Sequence, residues 1–368
     1  MRDRTRVIFA VAVVLGGGCF VFFAIHPPKT VKHKVILRTP PPPAPEATWP
    51  WPKVAVSHPF KGVTRWFDDA TEDGTTLELL RFDFKANPRL RFELYDQDED
   101  DALPFNNQAD YYDRGVGQVV KDLNGKGRGK VLAAWNGLFF AYDRRPGTPV
   151  HGFATHIGPV VVGGKAYHNV GQFRWTFGVK YAGGKPSFRT LFKPDLAEMA
   201  RQLDFGSVGA QCLIRGGKPL RLPLFSADGS LPSRAMTSED VGSVTGVDFL
   251  QTSRTSMGWS KDSRVFYLLV VNEPDSETAS KMALRSGETP TGGWALADLQ
   301  RFWEKLGVWG AVNSDGGSVT QLAWLRDDGK YELLPARIAV PNERLLFGPD
   351  FAGAPGGGTL LTFFVSAR

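Results

Sequence analysis

Apolar and polar positions come close to alternating through Leu77-Glu78-Leu79-Leu80-Arg81-Phe82-Asp83-Phe84 and again through Arg89-Leu90-Arg91-Phe92-Glu93-Leu94. Successive side chains of a strand point to opposite faces, so this pattern predicts two half-buried strands. Residues 131–135 form a short apolar strand that runs out at Asn136-Gly137-Leu138-Phe139-Phe140. Residues 158–164 and 210–217 read as strands entering glycine turns. Residues 265–271 are apolar throughout, as in a strand buried on both faces. Two segments carry the helical period instead. Leu196, Met199, Ala200 and Leu203 share a face within residues 194–203, and Leu296, Leu299, Phe302, Trp303 and Leu306 recur at helical spacing up to Gly307, a C-terminal cap. Residues 308–312 follow as a strand, with Asn313-Ser314-Asp315-Gly316-Gly317-Ser318 as the loop beyond it. Strands outnumber helices, and neither a βαβ alternation nor an internal repeat is present. The predicted fold class is α+β, a mixed, largely antiparallel sheet with a few packed helices.

The N-terminal pattern differs. Residues 7–25 contain no charged side chain. As a helix they would span about 28 Å, close to the roughly 30 Å of a bilayer's hydrocarbon core. The run is longer than the apolar part of a signal peptide, and no A-x-A cleavage site follows it. Gly16-Gly17-Gly18-Cys19 resembles a lipoprotein box, but the apolar run continues past the cysteine. The expectation is an N-terminal transmembrane helix, a signal anchor over residues 1–26. It makes the membrane a partner through residues 7–25. Basic residues flank the run on both sides, so its orientation rests on the ability of long domains to translocate. The expected location is single-pass, with the body outside the cytoplasm, periplasmic or extracellular. Nine of the 26 prolines fall within residues 27–52, which gives a stiff polyproline-II linker over 27–58. Residues 59–368 are the folded domain.

Charge changes the picture of partners. Of 44 basic and 38 acidic residues, seven basic and one acidic lie within residues 1–38, leaving the rest of the 368-residue chain balanced. A nucleic-acid partner is therefore not expected, since its binding face would be basic. The two cysteines, Cys19 and Cys212, exclude a disulfide framework and a C-x-x-C zinc or redox site. Gly125-Lys126-Gly127-Arg128-Gly129-Lys130 fails the P-loop pattern at Asn124 and Val131 and reads as a basic turn. The acidic run 96–101 lacks the glycine of a calcium loop and reads as a solvated loop. His151 and His156 lack the H-E-x-x-H spacing; zinc held by His151, His156 and His168 stands beside the default of core or surface imidazoles. Neither a G-x-S-x-G elbow nor a dinucleotide-binding G-x-G-x-x-G is present.

Three stretches offer chemistry. The loop after residues 308–312 has a rigid base and an exposed tip. Its glycine amides can approach a ligand closely or form an anion-binding nest, and Asp315 can act as general acid or base or hold a cation. The alternative is a tight turn with an Asx cap. Asn136 places an amide at a strand end beside Gly137. Ser253-Arg254-Thr255-Ser256-Met257-Gly258 offers a guanidinium ahead of the buried strand.

Taken in their order along the chain, the stretches resemble the phosphodiester glycosidase family, the family of the lysosomal N-acetylglucosamine-1-phosphodiester alpha-N-acetylglucosaminidase. The family pattern is N-G-[GT]-F-F, then R-T-x-x-G before an apolar strand, a helix ending in L-G, and N-x-D-G-G-G-S. Here it is matched by Asn136-Gly137-Leu138-Phe139-Phe140, Arg254-Thr255-Ser256-Met257-Gly258, Leu306-Gly307 and Asn313-Ser314-Asp315-Gly316-Gly317-Ser318. The resemblance runs from about residue 62 to residue 325. Departures are Leu138 for a small residue, Ser318 and Val319 for the last Gly-Ser, and Asn272-Glu273 for Asp-Gly. The resemblance implies hydrolysis of a sugar–O–P bond at the anomeric carbon, with Asp315, Arg254 and Asn136 as catalytic residues. Arg254 would hold phosphate oxygens and Asp315 would activate water, directly or through a metal. Asn313, Gly316, Gly317, Ser318 and Thr255 would bind substrate, and Trp135, Phe139 and Phe140 would either stack on sugar or belong to the core. Glu273 and Asp275 are the candidates for a second carboxylate. A divalent cation is left open as cofactor. The implied function is that of a membrane-anchored hydrolase cleaving glycosyl 1-phosphodiesters, N-acetylglucosamine among them, in cell-envelope glycans or their precursors. The alternative is a non-catalytic glycan- or phosphoglycan-binding envelope module.

Overall fold

In the computed structural model the described residues are 14–15, 18–19, 55–69, 71, 73–106, 109–110, 114–143, 153–168, 175–222, 237–242, 251–274, 292–336 and 344–368. The chain divides into two units, Met1–Thr48 and Trp49–Arg368.

The first unit corrects an expectation. Among the described residues no helix is long and apolar enough to cross a membrane. Within the apolar run, Val14–Leu15 pairs antiparallel with Gly18–Cys19, which a continuous helix through residues 7–25 would exclude. The sequence holds a reason: Gly16, Gly17 and Gly18 are consecutive, and each glycine costs a helix about 1 kcal/mol relative to alanine. This overturns the transmembrane helix, the membrane as partner, the single-pass location outside the cytoplasm and the membrane-anchored form of the function. The other residues of the run, and the linker up to residue 54, lie outside the described residues.

In the second unit the strands that bear on the site are β1 (Thr76–Asp83), β2 (Leu90–Asp96), β3 (Lys130–Asn136), β4 (Phe140–Asp143), β5 (Phe153–His156), β6 (Phe205–Arg215), β7 (Arg254–Trp259), β8 (Val265–Asn272), β9 (Gly310–Asn313), β10 (Leu322–Leu325) and β11 (Leu361–Ala367). The helices are α1 (Val116–Gly125), α2 (Leu196–Gln202) and α3 (Leu296–Leu306). A twelve-stranded sheet carries β6-β9-β7-β8-β1 in its middle, and a six-stranded sheet carries β10-β3-β11-β2. The ladders of these strands are antiparallel throughout, in line with the predicted α+β class.

The sheets share an aromatic core. Phe92 of β2 lies 5.4 Å from Phe363 of β11 and 5.0 Å from Phe266 of β8, centroid to centroid. Each such buried ring contributes about 1.5–3 kcal/mol by leaving water. On the outer face of the large sheet, α3 buries Leu296, Leu299, Phe302 and Trp303 against Leu77, Leu79, Leu269 and Val271. Gly258 makes room for it, because a Cβ there would stand 2.8 Å from the Trp303 ring. The helix ends as its sequence predicts, at Gly307 in the left-handed conformation (φ 69°). Helix α1 buries Val116, Val119, Val120 and Leu123 in the shared core, a helical spacing that lies just ahead of the basic turn.

Candidate functional site

Antiparallel pairing sets the start of one strand beside the end of its neighbour. In β7 and β9, Ser256 is opposite Asn313, so Arg254 and Thr255 stand beside the loop that leaves β9. That loop is tied down there: Ser314 N–H donates to the Thr255 carbonyl at 2.8 Å and Gly317 N–H to the Ser253 carbonyl at 2.7 Å. From the other sheet, Asn136 ends β3 and reaches the same place. Its Nδ2 donates to the Asp315 carbonyl (2.8 Å), and its Oδ1 accepts from Thr255 Oγ1 and from the Gln321 N–H, both at 3.0 Å. Next to it, the Gly137 carbonyl accepts from Ser314 Oγ at 2.6 Å and from the Asp315 N–H at 3.3 Å. Three segments far apart in sequence are thus joined by direct hydrogen bonds.

Both loop glycines are required, for different reasons. A Cβ on Gly316 would stand 2.7 Å from the Ser253 carbonyl and 3.4 Å from Arg254 Cα, so the backbones touch where a side chain would be. Gly317 sits at φ 66°, in the left-handed region. The expected nest takes another form. Gly316 N–H donates to the Asp315 carboxylate (2.8 Å) and Gly317 N–H to Ser253, so these amides brace the loop. Ser318 is exposed.

The charged groups flank this knot. Arg254 is only 4% exposed, and its Nε donates to the Trp294 carbonyl at 2.9 Å. Asp315 is partly exposed. Glu273 Oε2 accepts from Ser253 N–H (3.1 Å), and Glu273 N–H donates to Ser253 Oγ (3.0 Å), placing this carboxylate beside the residue before Arg254. Asp275 lies outside the described residues. Asn313 Nδ2 donates to Gln211 Oε1 at 2.7 Å and to the Ser314 carbonyl at 2.9 Å. Its Oδ1 is buried without a hydrogen bond among the described residues. Trp135 is fully buried and stacks on Phe266 at 5.9 Å, so it belongs to the core; Phe139 and Phe140 are half-buried.

A second polar cluster lies nearby, and the acidic run supplies it. Gln97–Asp100 is a short 3-10 helix capped by Asp96, and Asp96 and Asp98 are fully buried, where the sequence predicts a solvated loop. Asp96 Oδ1 accepts from Asp98 N–H (3.1 Å), and Oδ2 lies 2.7 Å from His156 Nε2. His168 Nε2 is 3.3 Å from Asp98 Oδ2. The two imidazoles stack 4.2 Å apart at 11°. Ligand atoms of Asp96, His156 and His168 lie within 4.8 Å of one another, a grouping able to coordinate a divalent metal ion. His151 lies outside the described residues. Burial by itself lowers the proton affinity of His156, but the charge and hydrogen bond of Asp96, with the charge of Asp98, outweigh it and raise the pKa. The sequence carried one signal for the carboxylate: Phe92, Leu94 and Asp96 share a strand face, and that face is core.

A model of the phosphodiester glycosidase family matches residues 129–344. Among solved structures, the catalytic domain of zebrafish N-acetylglucosamine-1-phosphodiester alpha-N-acetylglucosaminidase, auto-inhibited by its pro-peptide, is 13% identical, with 86% of this chain and 88% of that chain covered and a TM-score of 0.48. A hypothetical protein from Synechocystis is 12% identical, with 86% of this chain and 64% of that chain covered and a TM-score of 0.43. No curated protein matches the chain by sequence. The family match spans more than half of the chain and takes in Asn136, the strand that begins at Arg254 and the whole loop from Asn313 to Ser318, and on that match this protein belongs to the phosphodiester glycosidase family.

Proposed function

We propose that this protein hydrolyses glycosyl 1-phosphodiesters, breaking the bond between the anomeric carbon and the phosphate oxygen. The observation that carries this reading is the hydrogen-bonded meeting of Asn136, the Arg254-Thr255 pair and the Asn313–Gly317 loop. Arg254 holds the phosphate oxygens, because a guanidinium presents paired donors to an oxyanion. Asp315 takes a proton from water as the water oxygen bonds to the anomeric carbon. The electron pair of the breaking C–O bond stays on the phosphate oxygen. A phosphomonoester leaves as a stabilised anion and needs little proton help. Glu273, clasped to Ser253, is the second carboxylate of the pair. Asn136 is a positioning residue: its amide fixes the main chain of Asp315 and leaves the carboxylate to do chemistry. Asn313 Oδ1, buried and without a hydrogen bond among the described residues, is the acceptor offered to a sugar hydroxyl.

The test is release of N-acetylglucosamine from its 1-phosphodiester of a chromogenic alcohol. The parent chain turns over. Asp315→Asn and Arg254→Ala each lose about 10²–10³-fold or more in kcat/KM, the scale of losing one group that meets developing charge; Asp315→Asn leaves the melting temperature unchanged, and Arg254→Ala, which removes a buried hydrogen bond to the Trp294 carbonyl, stays folded at a cost of about 1–3 kcal/mol. Full activity in both variants would sink the assignment. The second reading, a phosphoglycan-binding module without turnover, draws on the engaged amides of Gly316 and Gly317. It is favoured if the parent binds the phosphodiester and releases no sugar.

A further inference from the structure

We propose that Asp96, Asp98, His156 and His168 hold one divalent transition-metal ion of the zinc type, and that this ion fastens the segment after Asn136 to strand β2. The first ground is the state of the polar atoms. The side chains of Asp96, Asp98, His156 and His168 are at most 1% exposed. Both oxygens of Asp98 and His168 Nε2 are buried without a hydrogen bond among the described residues. A buried carboxylate in that condition is strongly unfavourable unless a cation meets it.

The second ground is the arrangement of the donors. The two imidazoles stack 4.2 Å apart against the buried carboxylates of Asp96 and Asp98, and one divalent ion takes a lone pair from each ring while its charge matches the two carboxylates.

The third ground is the donor set. Two imidazole nitrogens with carboxylate oxygens suit zinc and its first-row neighbours. Calcium takes six to eight oxygens, and magnesium prefers an octahedron of oxygens with several waters. Around a tetrahedral ion with bonds of about 2.0–2.1 Å, neighbouring ligand atoms stand roughly 3.3–3.4 Å apart. The His168–Asp98 separation of 3.3 Å and the His156–Asp96 separation of 2.7 Å stand close to this; across the Asp96, His156 and His168 set the ligand atoms lie within 4.8 Å of one another, so binding draws them together by about an ångström, with Asp98 following His168.

Connectivity gives the ion its consequence. His156 is opposite Phe140 in the β4–β5 ladder, and β4 begins four residues after Asn136. Asp96 is opposite Leu361 of β11, whose carbonyl accepts from Gly137 N–H at 2.7 Å. The ligands therefore grip both sides of the Asn136-Gly137 turn. His168, held at φ 61°, comes from a third segment.

The site is tested without substrate, so its fate is independent of the hydrolytic reading. An untagged full-length chain, dialysed free of loose metal, is assayed for elemental content and melting temperature. The expected result is about one zinc-type ion per chain. Stripping with a strong chelator lowers the melting temperature by several degrees, and stoichiometric Zn2+ restores it where Ca2+ and Mg2+ do not. His168→Ala abolishes retention. Should that variant fail to fold, the isosteric Asp98→Asn keeps the fold and weakens Zn2+ binding at least tenfold. The proposal is overturned by a metal-free chain whose melting Zn2+ does not move, by rescue with Ca2+, or by full metal content in both variants.

Discussion

Two buried polar clusters lie about two strands apart, close to 10 Å at the usual strand spacing, on the rung that joins Asn136, Thr362 and Tyr95. The knot around Asn136 is closed from within: both ends of its amide, the Thr255 hydroxyl and the Ser314 hydroxyl all have protein partners. The cluster around Asp96 is left open: both oxygens of Asp98 and His168 Nε2 have no hydrogen bond among the described residues. Polar groups are tolerated in a core when they are hydrogen-bonded or when a ligand completes them. The knot is therefore scaffold, and in the proposed reaction the chemistry falls to what it holds at its edge, Asp315 and Arg254. The open cluster, on the proposal above, gains scaffold value from a bound ion. The difference separates residues that many sequence patterns would lump together as a polar site.

The largest expected effect that would break this comparison comes from one methyl group. In Gly316→Ala the new Cβ must push against the Ser253 carbonyl, 2.7 Å away in the present backbone. The loop has to move, and a displacement near 1 Å at a catalytic group costs on the order of 10²-fold in rate. Overpacking adds roughly 1–3 kcal/mol of instability. Kinetics and denaturant unfolding on the same variant read both. A fully active Gly316→Ala protein would mean that the knot does not position the site.

Asn136→Ala sharpens the contrast from the side of stability. It strands the Asp315 carbonyl, the Thr255 hydroxyl and the Gln321 N–H. Buried groups stripped of partners cost about 1–3 kcal/mol each; partial relaxation makes a total of roughly 3 kcal/mol the expectation in urea unfolding. An unaffected unfolding midpoint would show the knot to be ornamental to the fold.

A third cluster, closed by charge rather than by hydrogen bonds to neutral groups, gives a control. Glu78 is buried between Arg65 (2.5 Å) and Arg344 (2.7 Å). Burial alone would raise its pKa, but the two guanidiniums outweigh that and hold it below the ordinary 4.5. A carboxyl whose pKa is lowered by folding contributes stability that is full above its unfolded pKa and is lost as pH falls through the folded one. Stability should therefore decline below about pH 4.5, and Glu78→Gln should lack that component of the decline. An acid limb identical in both proteins would remove Glu78 as its source.

Much of this was legible in the sequence, and the failures have physical causes. Helix α3 with its glycine cap follows from periodicity, because one face is in water; the strands at residues 77–84 and 89–94 show the same near-alternation, although Glu78 and Glu93 on their polar positions are themselves buried. Helix α1 carries Val116, Val119, Val120 and Leu123 at helical spacing, but the glycines and charges after it draw attention to the turn. Strand β11 lies between β3 and β2 and is buried on both faces, so its run of apolar residues has no alternation to read. The N-terminal run shows the opposite error: hydropathy counted apolar residues, and Gly16, Gly17 and Gly18 were weighed as a cleavage box and not as a helix breaker. At the site, Asn136, Arg254 and Asp315 were legible as strand-end polar residues. Their mutual hydrogen bonds were not, since pairing across two sheets is a property of topology. Asp96 and Asp98 were hidden within a run of acids, because composition alone cannot separate a solvated carboxylate from a buried one.

The smallest effect is the most discriminating. The family pattern places Thr255 among the substrate-binding residues, whereas here its hydroxyl is fully buried and donates to Asn136 Oδ1 at 3.0 Å. Thr255→Val keeps the shape and removes that donor. Asn136 Oδ1 retains the Gln321 N–H at 3.0 Å, so no acceptor is stranded. The expected loss is then one ordinary hydrogen bond, about 1 kcal/mol, with KM and kcat changed by less than about threefold. A hydroxyl that met substrate would behave otherwise: KM would rise or kcat would fall by tenfold or more while unfolding stayed the same. Measuring both quantities on this variant decides whether Thr255 belongs to the closed knot or to the surface that the substrate touches.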